Sequence, residues 1–226
     1  MKKFIIFFVF SFITITTKAQ LYEVGIMAGG NNYIGDIGKE NYINPNNLMA
    51  GVIYKYNMNP RVALRGTFTY AKIKANDKDA SNYGRYSRGI GFSNSIKELA
   101  VGIEFNFFEY DLSNFRKTQT PYILLEIAAF NYRVVTDEPS YKQYEYGNNT
   151  SFAIPFGLGY KTKLAYNLAI AAEIRARYTF VDDIDYNNDK FESLKFGNPD
   201  SNDWYMLSGI SLVYTFGRPP CYAPPY

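Results

Sequence analysis

The sequence predicts an all-β chain: an eight-stranded antiparallel transmembrane β-barrel of the outer membrane, with short periplasmic turns and four long outer loops. Three observations predict it. Eight segments alternate apolar with small or polar residues at period 2, each close to the roughly 9–11 residues that a tilted membrane strand needs. The connections between them alternate between short and long, the pattern of a barrel with turns on one rim and loops on the other. Aromatic residues make up 18% of the chain, chiefly 22 Tyr and 18 Phe, a load suited to aromatic girdles at strand ends.

The first strand, 21–29, sets Tyr22, Val24, Ile26 and Ala28 against Glu23, Gly25 and Gly29. In the second, 48–56, Leu48, Val52, Tyr54 and Tyr56 oppose Gly51 and Lys55; in the third, 62–71, Val62, Leu64, Phe68 and Tyr70 oppose Arg65, Thr67 and Thr69. The fourth, 95–107, is the most regular, with Leu99, Val101, Ile103, Phe105 and Phe107 on one face and Glu98, Ala100, Gly102, Glu104 and Asn106 on the other. The fifth, 121–132, places Ile123, Leu125, Ile127 and Ala129 opposite Glu126, and the sixth, 152–161, places Phe152, Ile154, Phe156, Leu158 and Tyr160 opposite Gly157 and Gly159. The seventh, 168–180, sets Leu168, Ile170, Ile174, Tyr178 and Phe180 against Glu173, Arg175, Arg177 and Thr179, and the eighth, 204–216, closes the set on Phe216.

The long connections are expected at about 30–47, 72–94, 133–151 and 181–203, and the shorter ones at 57–61, 108–120 and 162–167. An even strand number puts both termini on the short-turn side, in the periplasm. A secreted lipocalin-type barrel would also alternate, but with its charges outward. The small, sparsely charged polar face and the aromatic strand ends favour the membrane form.

Ahead of the barrel, Lys2 and Lys3, the apolar run "FIIFFVFSFITIT" and the small residue Ala19 are expected to form a cleaved signal peptide over 1–19. The run falls short of the roughly 20 residues of a spanning helix. The barrel is then expected over 20–216 and a proline-rich periplasmic tail over 217–226.

The inward charges form the candidate site. Glu23, Glu98, Glu104, Glu126 and Glu173 face Lys55, Arg65, Arg175 and Arg177, inside a barrel just wide enough to be filled by side chains. They are expected to pair as a rigid lumen filling rather than to line a conduction path. Catalysis finds little support, since the chain has no His and one Cys, which removes His-dependent triads and cysteine-based zinc sites. "VDDIDYNND" (181–189) and "NPDSND" (198–203) lack calcium-loop spacing and are expected to be solvated loop. "GGNNYIGDIG" (29–38) opens no helix of a βαβ unit, so its glycines are expected to serve turns of the first outer loop rather than a phosphate. No cofactor, metal or small-molecule substrate is expected, and a net charge of +3 without a basic run gives no footprint for nucleic acid.

Several stretches together resemble the PorG family, the small outer-membrane barrel of the type IX secretion system: "NNYIGDIGKENYINPNN" (31–47), "LAVGIEFNFFEYDL" (99–112), "TPYILLEI" (120–127), "IPFGLGYK" (154–161), "RARYTFVDDID" (175–185), "FGNPDSNDWY" (196–205) and "YTFGRPPCY" (214–222). The resemblance implies a non-enzymatic component that tethers a periplasmic, lipoprotein-containing ring to the outer membrane in support of protein secretion and, in some cells, gliding motility. It carries no catalytic residues, and it assigns no role to the last residues, "YAPPY". The tail adds an expectation of its own: Pro219 and Pro220 keep the chain extended, and Arg218 and the lone Cys221 are candidate contacts to the ring lipoprotein, with a disulfide and an incidental free thiol both open. An independent surface barrel, an adhesin or ligand binder acting through the outer loops, is the other reading.

Overall fold

Alternation on a strand becomes a barrel when one face meets lipid and the other a shared interior, and the computed structural model shows this arrangement. It describes residues 21–112, 118–165, 167–197 and 201–217; the expected signal peptide and the tail residues 218–226 lie outside them. Eight antiparallel strands close into one ring in chain order: β1 (Leu21–Ile34), β2 (Asn47–Asn57), β3 (Val62–Asn76), β4 (Gly91–Asn106), β5 (Gln119–Ser140), β6 (Gln143–Ala165), β7 (Leu168–Thr179) and β8 (Trp204–Gly217). β1 and β8 pair without a break from Leu21↔Gly217 to Ile34↔Trp204, which closes the ring. A short helix α1 (Tyr83–Arg88) lies between β3 and β4, started by the Asn82 side chain and ended by Gly89 in the left-handed region.

Apolar residues stand outward. Ile26, Leu99, Val101, Leu125, Ile127, Phe152, Leu158 and Ile210 are all more than half exposed around the circumference, an apolar belt far larger than a water-facing surface carries. The charged residues are inside instead, Arg175 and Arg177 at 0% exposure. Charges in and hydrocarbon out is the polarity of a transmembrane barrel. It is the reverse of a lipocalin.

Three outer connections differ from their expected form, and most of the turn expected at 162–167 is strand too, since β6 runs to Ala165. The stretch expected as a loop at 133–151 is mostly strand: β5 runs to Ser140 and β6 restarts at Gln143, an extended hairpin with a two-residue tip. The expected loop 72–94 shrinks, because β3 continues to Asn76 and β4 begins at Gly91. Residues 30–34 of the Gly-rich stretch likewise belong to β1, and only Gly38 of its glycines has positive φ, +86°. The β5–β6 extension pairs without the alternation that marks a membrane span, whereas the β3 and β4 extensions keep it, with Ile73, Phe92 and Ile96 inward.

Candidate functional site

The lumen is built from one parity of every strand. Glu98 and Glu104 point in from β4, Arg65 from β3, Lys55 from β2, Glu126 from β5, and Glu173, Arg175 and Arg177 from β7. Glu104 collects three cations: Lys55 Nζ at 2.8 Å, Lys161 Nζ at 2.5 Å and Arg65 Nη1 at 3.2 Å. Arg65 also grips Glu173 with two parallel bonds of 2.9 Å, the fork geometry that makes Arg–carboxylate pairs strong. Glu173 is held further by Arg175 Nε at 3.1 Å and by the Tyr122 hydroxyl, which donates at 2.8 Å. A separate bidentate pair joins Arg177 to Glu98 at 3.0 and 3.1 Å, with the Tyr205 hydroxyl donating to Glu98 at 2.6 Å. Glu126 accepts from Thr67 Oγ1 at 3.2 Å and lies 3.6 Å from Arg175 Nη1. Glu23 stands apart from these ion pairs and accepts from Asn57 Nδ2 at 2.8 Å.

Five buried acids, Glu23, Glu98, Glu104, Glu126 and Glu173, thus share this layer with five buried bases, Lys55, Arg65, Lys161, Arg175 and Arg177, while a sixth buried base, Lys163, lies at the short-turn mouth. The layer is neutral, as desolvated charge must be to persist. Lys161, Tyr122 and Tyr205 are the members that sequence reading missed. Lys161 has the parity of Gly157 and Gly159, and Tyr122 that of Glu126, so strand parity alone could have found them. Tyr122 reaches from β5 to Glu173 on β7 only because Gly159 on β6 lies beneath it: a Cβ there would stand 2.4 Å from the ring.

Charges are not the whole filling. On the long-loop side an apolar layer containing Met27, Met49, Ile53, Ile73, Phe130 and Leu207 is topped by Ile37 and Ile184, which descend from the first and last outer loops. At the short-turn mouth, Tyr110 and Leu112 of the β4–β5 connection pack on Leu21 and Ala169. Lys163 Nζ donates to Leu112 O at 3.0 Å, and Lys161 Nζ sits 4.4 Å over the Tyr110 ring. The described residues therefore fill much of the barrel, with the apolar layer toward the long loops, the ion pairs below it and Tyr110 and Leu112 at the short-turn mouth.

The outer cap is the second cluster. Arg88, at the end of α1, donates to Asp77 at 2.7 and 3.1 Å, to Asp36 O at 2.6 Å and to Phe196 O at 3.1 Å, tying three outer loops together. Burial alone would raise the Asp77 carboxyl, but Arg88 and the amides of Gly38 and Ile90 hold it below its ordinary range. Of the acidic runs expected to be solvated, Asp185 and Asp203 are instead packed into the cap at 1% and 0% exposure, Asp189 and Ser201 are exposed, and 198–200 lie outside the described residues. The Tyr33 hydroxyl sits between Asp203 and Asp185, 2.9 Å from the latter, and accepts from Asp36 N at 3.2 Å. One hydroxyl proton cannot serve two carboxylates, so a further proton on the pair is favoured. Burial, with the charges of Asp36 and Asp185, pushes Asp182 up to about 7; burial pushes Asp185 up to about 6; and burial beside Asp185 keeps Asp203 well above the carboxylate range. Gly35 lies under this contact, where a Cβ would meet the Tyr33 hydroxyl at 2.0 Å. Among the described residues no group of three or more His, Cys, Asp or Glu has the geometry to hold a metal ion.

Around the cap two open cavities remain. One, of about 810 Å³ between the first and second outer loops, is lined by Asn32, Asn44, Asn47 and Lys74; the other, of about 520 Å³ between the β5–β6 hairpin and the last loop, is lined by Tyr144, Tyr146 and Tyr186.

A family described as a domain of unknown function (DUF6089) matches residues 2–225, nearly the whole sequence. The chain belongs to that family. No curated protein matches the chain significantly. Solved structures similar to this DUF6089 member include Ail, the attachment invasion locus protein of Yersinia pestis, in complex with the heparin analogue sucrose octasulfate, at 11% identity and a TM-score of 0.47, covering 88% of this chain and 99% of that one. A major outer membrane protein of Thermus thermophilus is similar at 16% identity and a TM-score of 0.46, over 88% and 100% of the two chains. The N-terminal β-barrel domain of Pseudomonas aeruginosa OprF is similar at 14% and 0.44, over 86% and 97%.

Proposed function

We propose that this barrel is a non-enzymatic outer-membrane component of the type IX secretion system, which anchors the periplasmic lipoprotein-containing ring at the membrane. The observation that carries the reading is the filled lumen. A neutral ion-pair layer capped by packed loops leaves the surfaces, not the interior, to do the work, as an anchor requires. The motif resemblance along the mature chain supports the choice of system. In this reading the outer loops face the medium and the termini face the periplasm. Leu21 and Gly217 are paired on the rim opposite the long loops, so the tail beyond Gly217 starts beside the ring.

The ring contact is assigned to Arg218, Pro219, Pro220 and Cys221, which lie outside the described residues. Affinity capture from outer membranes, with the full chain and with residues 217–226 deleted, tests the reading. The full chain is expected to bring down a periplasmic lipoprotein, and the deletion to lose it while still fractionating with the outer membrane. Capture by the deletion variant would move the contact off the tail. Failure of the full chain to capture any ring protein would overturn the anchoring role in favour of an independent surface barrel acting through its loops. Non-reducing gels of Cys221→Ser against the parent decide the disulfide: no higher band in the parent ends that part.

A further inference from the structure

The outward face carries a charge pattern that the filled lumen does not explain. Immediately above the apolar belt, on three consecutive strands, stand four exposed cations: Lys72 and Lys74 on β3, Lys97 on β4 and Arg133 on β5. Lys72 lies opposite Ser95, and Lys97 lies opposite both Tyr70 and Asn131. Lys72 and Lys97 are therefore diagonal neighbours, a relation of roughly 7–8 Å across paired strands. Arg133 follows two residues beyond Asn131 on β5, its guanidinium 4.9 Å over the Tyr146 ring with its edge N–H groups left to donate. Tyr70, 46% exposed, marks the upper edge of the belt between them.

None of the four cations belongs to an ion pair among the described residues. The outward positions among them are Ser93, Ser95 and Asn131, with no carboxylate. The outer ends of other strands present apolar residues instead, Leu48 on β2 and Phe180 just after β7. The opposite rim presents aromatic rings, with Tyr22 stacked between Tyr54 and Phe216. Among the described residues the interfacial cations outside any ion pair thus gather in one sector, while Arg61 on the opposite rim is paired with Glu109 at 3.5 Å.

We infer that this sector seats the phosphorylated glucosamine headgroup of lipid A in the outer leaflet. The inference rests on the outer-membrane reading above. Like charges on adjacent strands without a carboxylate between them repel one another, and a polyanionic headgroup at the same height relieves that repulsion while its acyl chains lie on the continuous belt below. The Arg133 guanidinium and the lysine ammonium groups supply charge-assisted donors to phosphate oxygens, and the Tyr70 hydroxyl adds one at the sugar. Charge complementarity and continuity with the belt select a phosphate-bearing lipid over a soluble anion.

The test uses the full chain, purified in neutral detergent, and lipid A as the probe. Lys72→Gln, Lys97→Gln and Arg133→Gln are combined, and a control combines Lys39→Gln, Lys142→Gln and Lys190→Gln in the outer loops. Each cation near such a surface contributes about fivefold in affinity, so the patch variant is expected to bind lipid A on the order of 100-fold more weakly, with the control unchanged. Binding is expected to weaken with added salt, and dephosphorylated lipid A to bind the parent no better than lipid A binds the patch variant. Equal binding by patch variant and parent overturns the inference. So does equal binding of phosphatidylglycerol, or displacement by inorganic phosphate at matched concentration. Insertion of every variant into phosphatidylcholine vesicles is followed by gel mobility: failure of the parent to insert refutes the membrane reading, whereas insertion without selective binding refutes only the lipid A site.

Discussion

Replacing Arg177 by Met is expected to destabilise the barrel by about 3–5 kcal/mol, because the change removes one partner of a buried ion pair and leaves the other charged. Glu98 would keep only the Tyr205 hydroxyl at 2.6 Å in place of two guanidinium bonds. Glu98→Met alone is expected to cost a similar amount, since Arg177 would retain one bond, to Arg175 O at 3.3 Å. The double replacement leaves no buried charge of the pair. Its remaining cost is the orphaned Tyr205 hydroxyl, about 1–3 kcal/mol, and adding Tyr205→Phe is expected to return the barrel to within about 1 kcal/mol of the parent, since apolar replacement of buried pairs is often neutral. Guanidinium unfolding and refolding in phosphatidylcholine vesicles measures the series. Trp204, the only tryptophan, reports insertion by its emission from its place between Phe156 and Tyr178, and gel mobility reports closure. A double variant as damaged as the sum of its two singles, or a cost below about 1 kcal/mol for Arg177→Met, would refute the account of the lumen as mutually dependent charge pairs.

Other expectations follow from the same contacts. The carboxyls of Asp182, Asp185 and Asp203 titrate above their unfolded values, so their contribution to cap stability is fully present below about pH 4; that of Asp185 and Asp182 is lost as pH rises through about 6 to 7, and that of Asp203 as pH rises past the ordinary carboxylate range. Hydrogen exchange in residues 181–203, corrected for intrinsic rate, should be slower at pH 5 than at pH 8, and Asp185→Asn with Asp203→Asn should flatten the difference; exchange that does not depend on pH in the parent would sink the argument. Arg88→Gln should expose the first, second and fourth outer loops to protease together, whereas Lys78→Gln, whose bond to Tyr86 O stays within one loop, should affect the second alone. Gly159→Val should displace the Tyr122 ring and destabilise the barrel by more than Tyr122→Phe, which loses one bond to a charged acceptor and is expected to cost about 1.5–3 kcal/mol; equal costs in vesicle unfolding would show that Tyr122 does not depend on the gap at Gly159.

The membrane spans were legible because lipid and lumen impose opposite demands on alternate residues. Leu99, Val101 and Ile103 could stand only outward, and Glu98 and Glu104 only inward. Parity also put Arg65, Arg175 and Arg177 in the lumen, but it does not say which carboxylate each meets. Arg65 and Glu173 come together from strands 108 residues apart in the chain, a pairing set by the circumference of the closed ring. The β5–β6 hairpin beyond Tyr132 was illegible for the opposite reason. In "YRVVTDEPSYKQYEYG" the two faces meet similar surroundings, so pairing leaves no period to read. The cap was hidden too, since Asp203 and Asp185 look like ordinary loop acids until Tyr33, from the far end of the chain, is packed between them. Arg88 gave no signal at all: its three carbonyl and carboxylate partners belong to three separate loops.

The unbroken seam from Leu21↔Gly217 to Ile34↔Trp204 makes strand order a matter of convention. With residues 21 and 217 side by side, a short linker between them could replace the chain's present ends, and new ends could open at the two-residue tip formed by Tyr141 and Lys142. Such a circular permutant would keep every strand pairing while moving its termini to the opposite side of the bilayer. Any targeting element that must remain on the original side would then be separated from the ring that it serves.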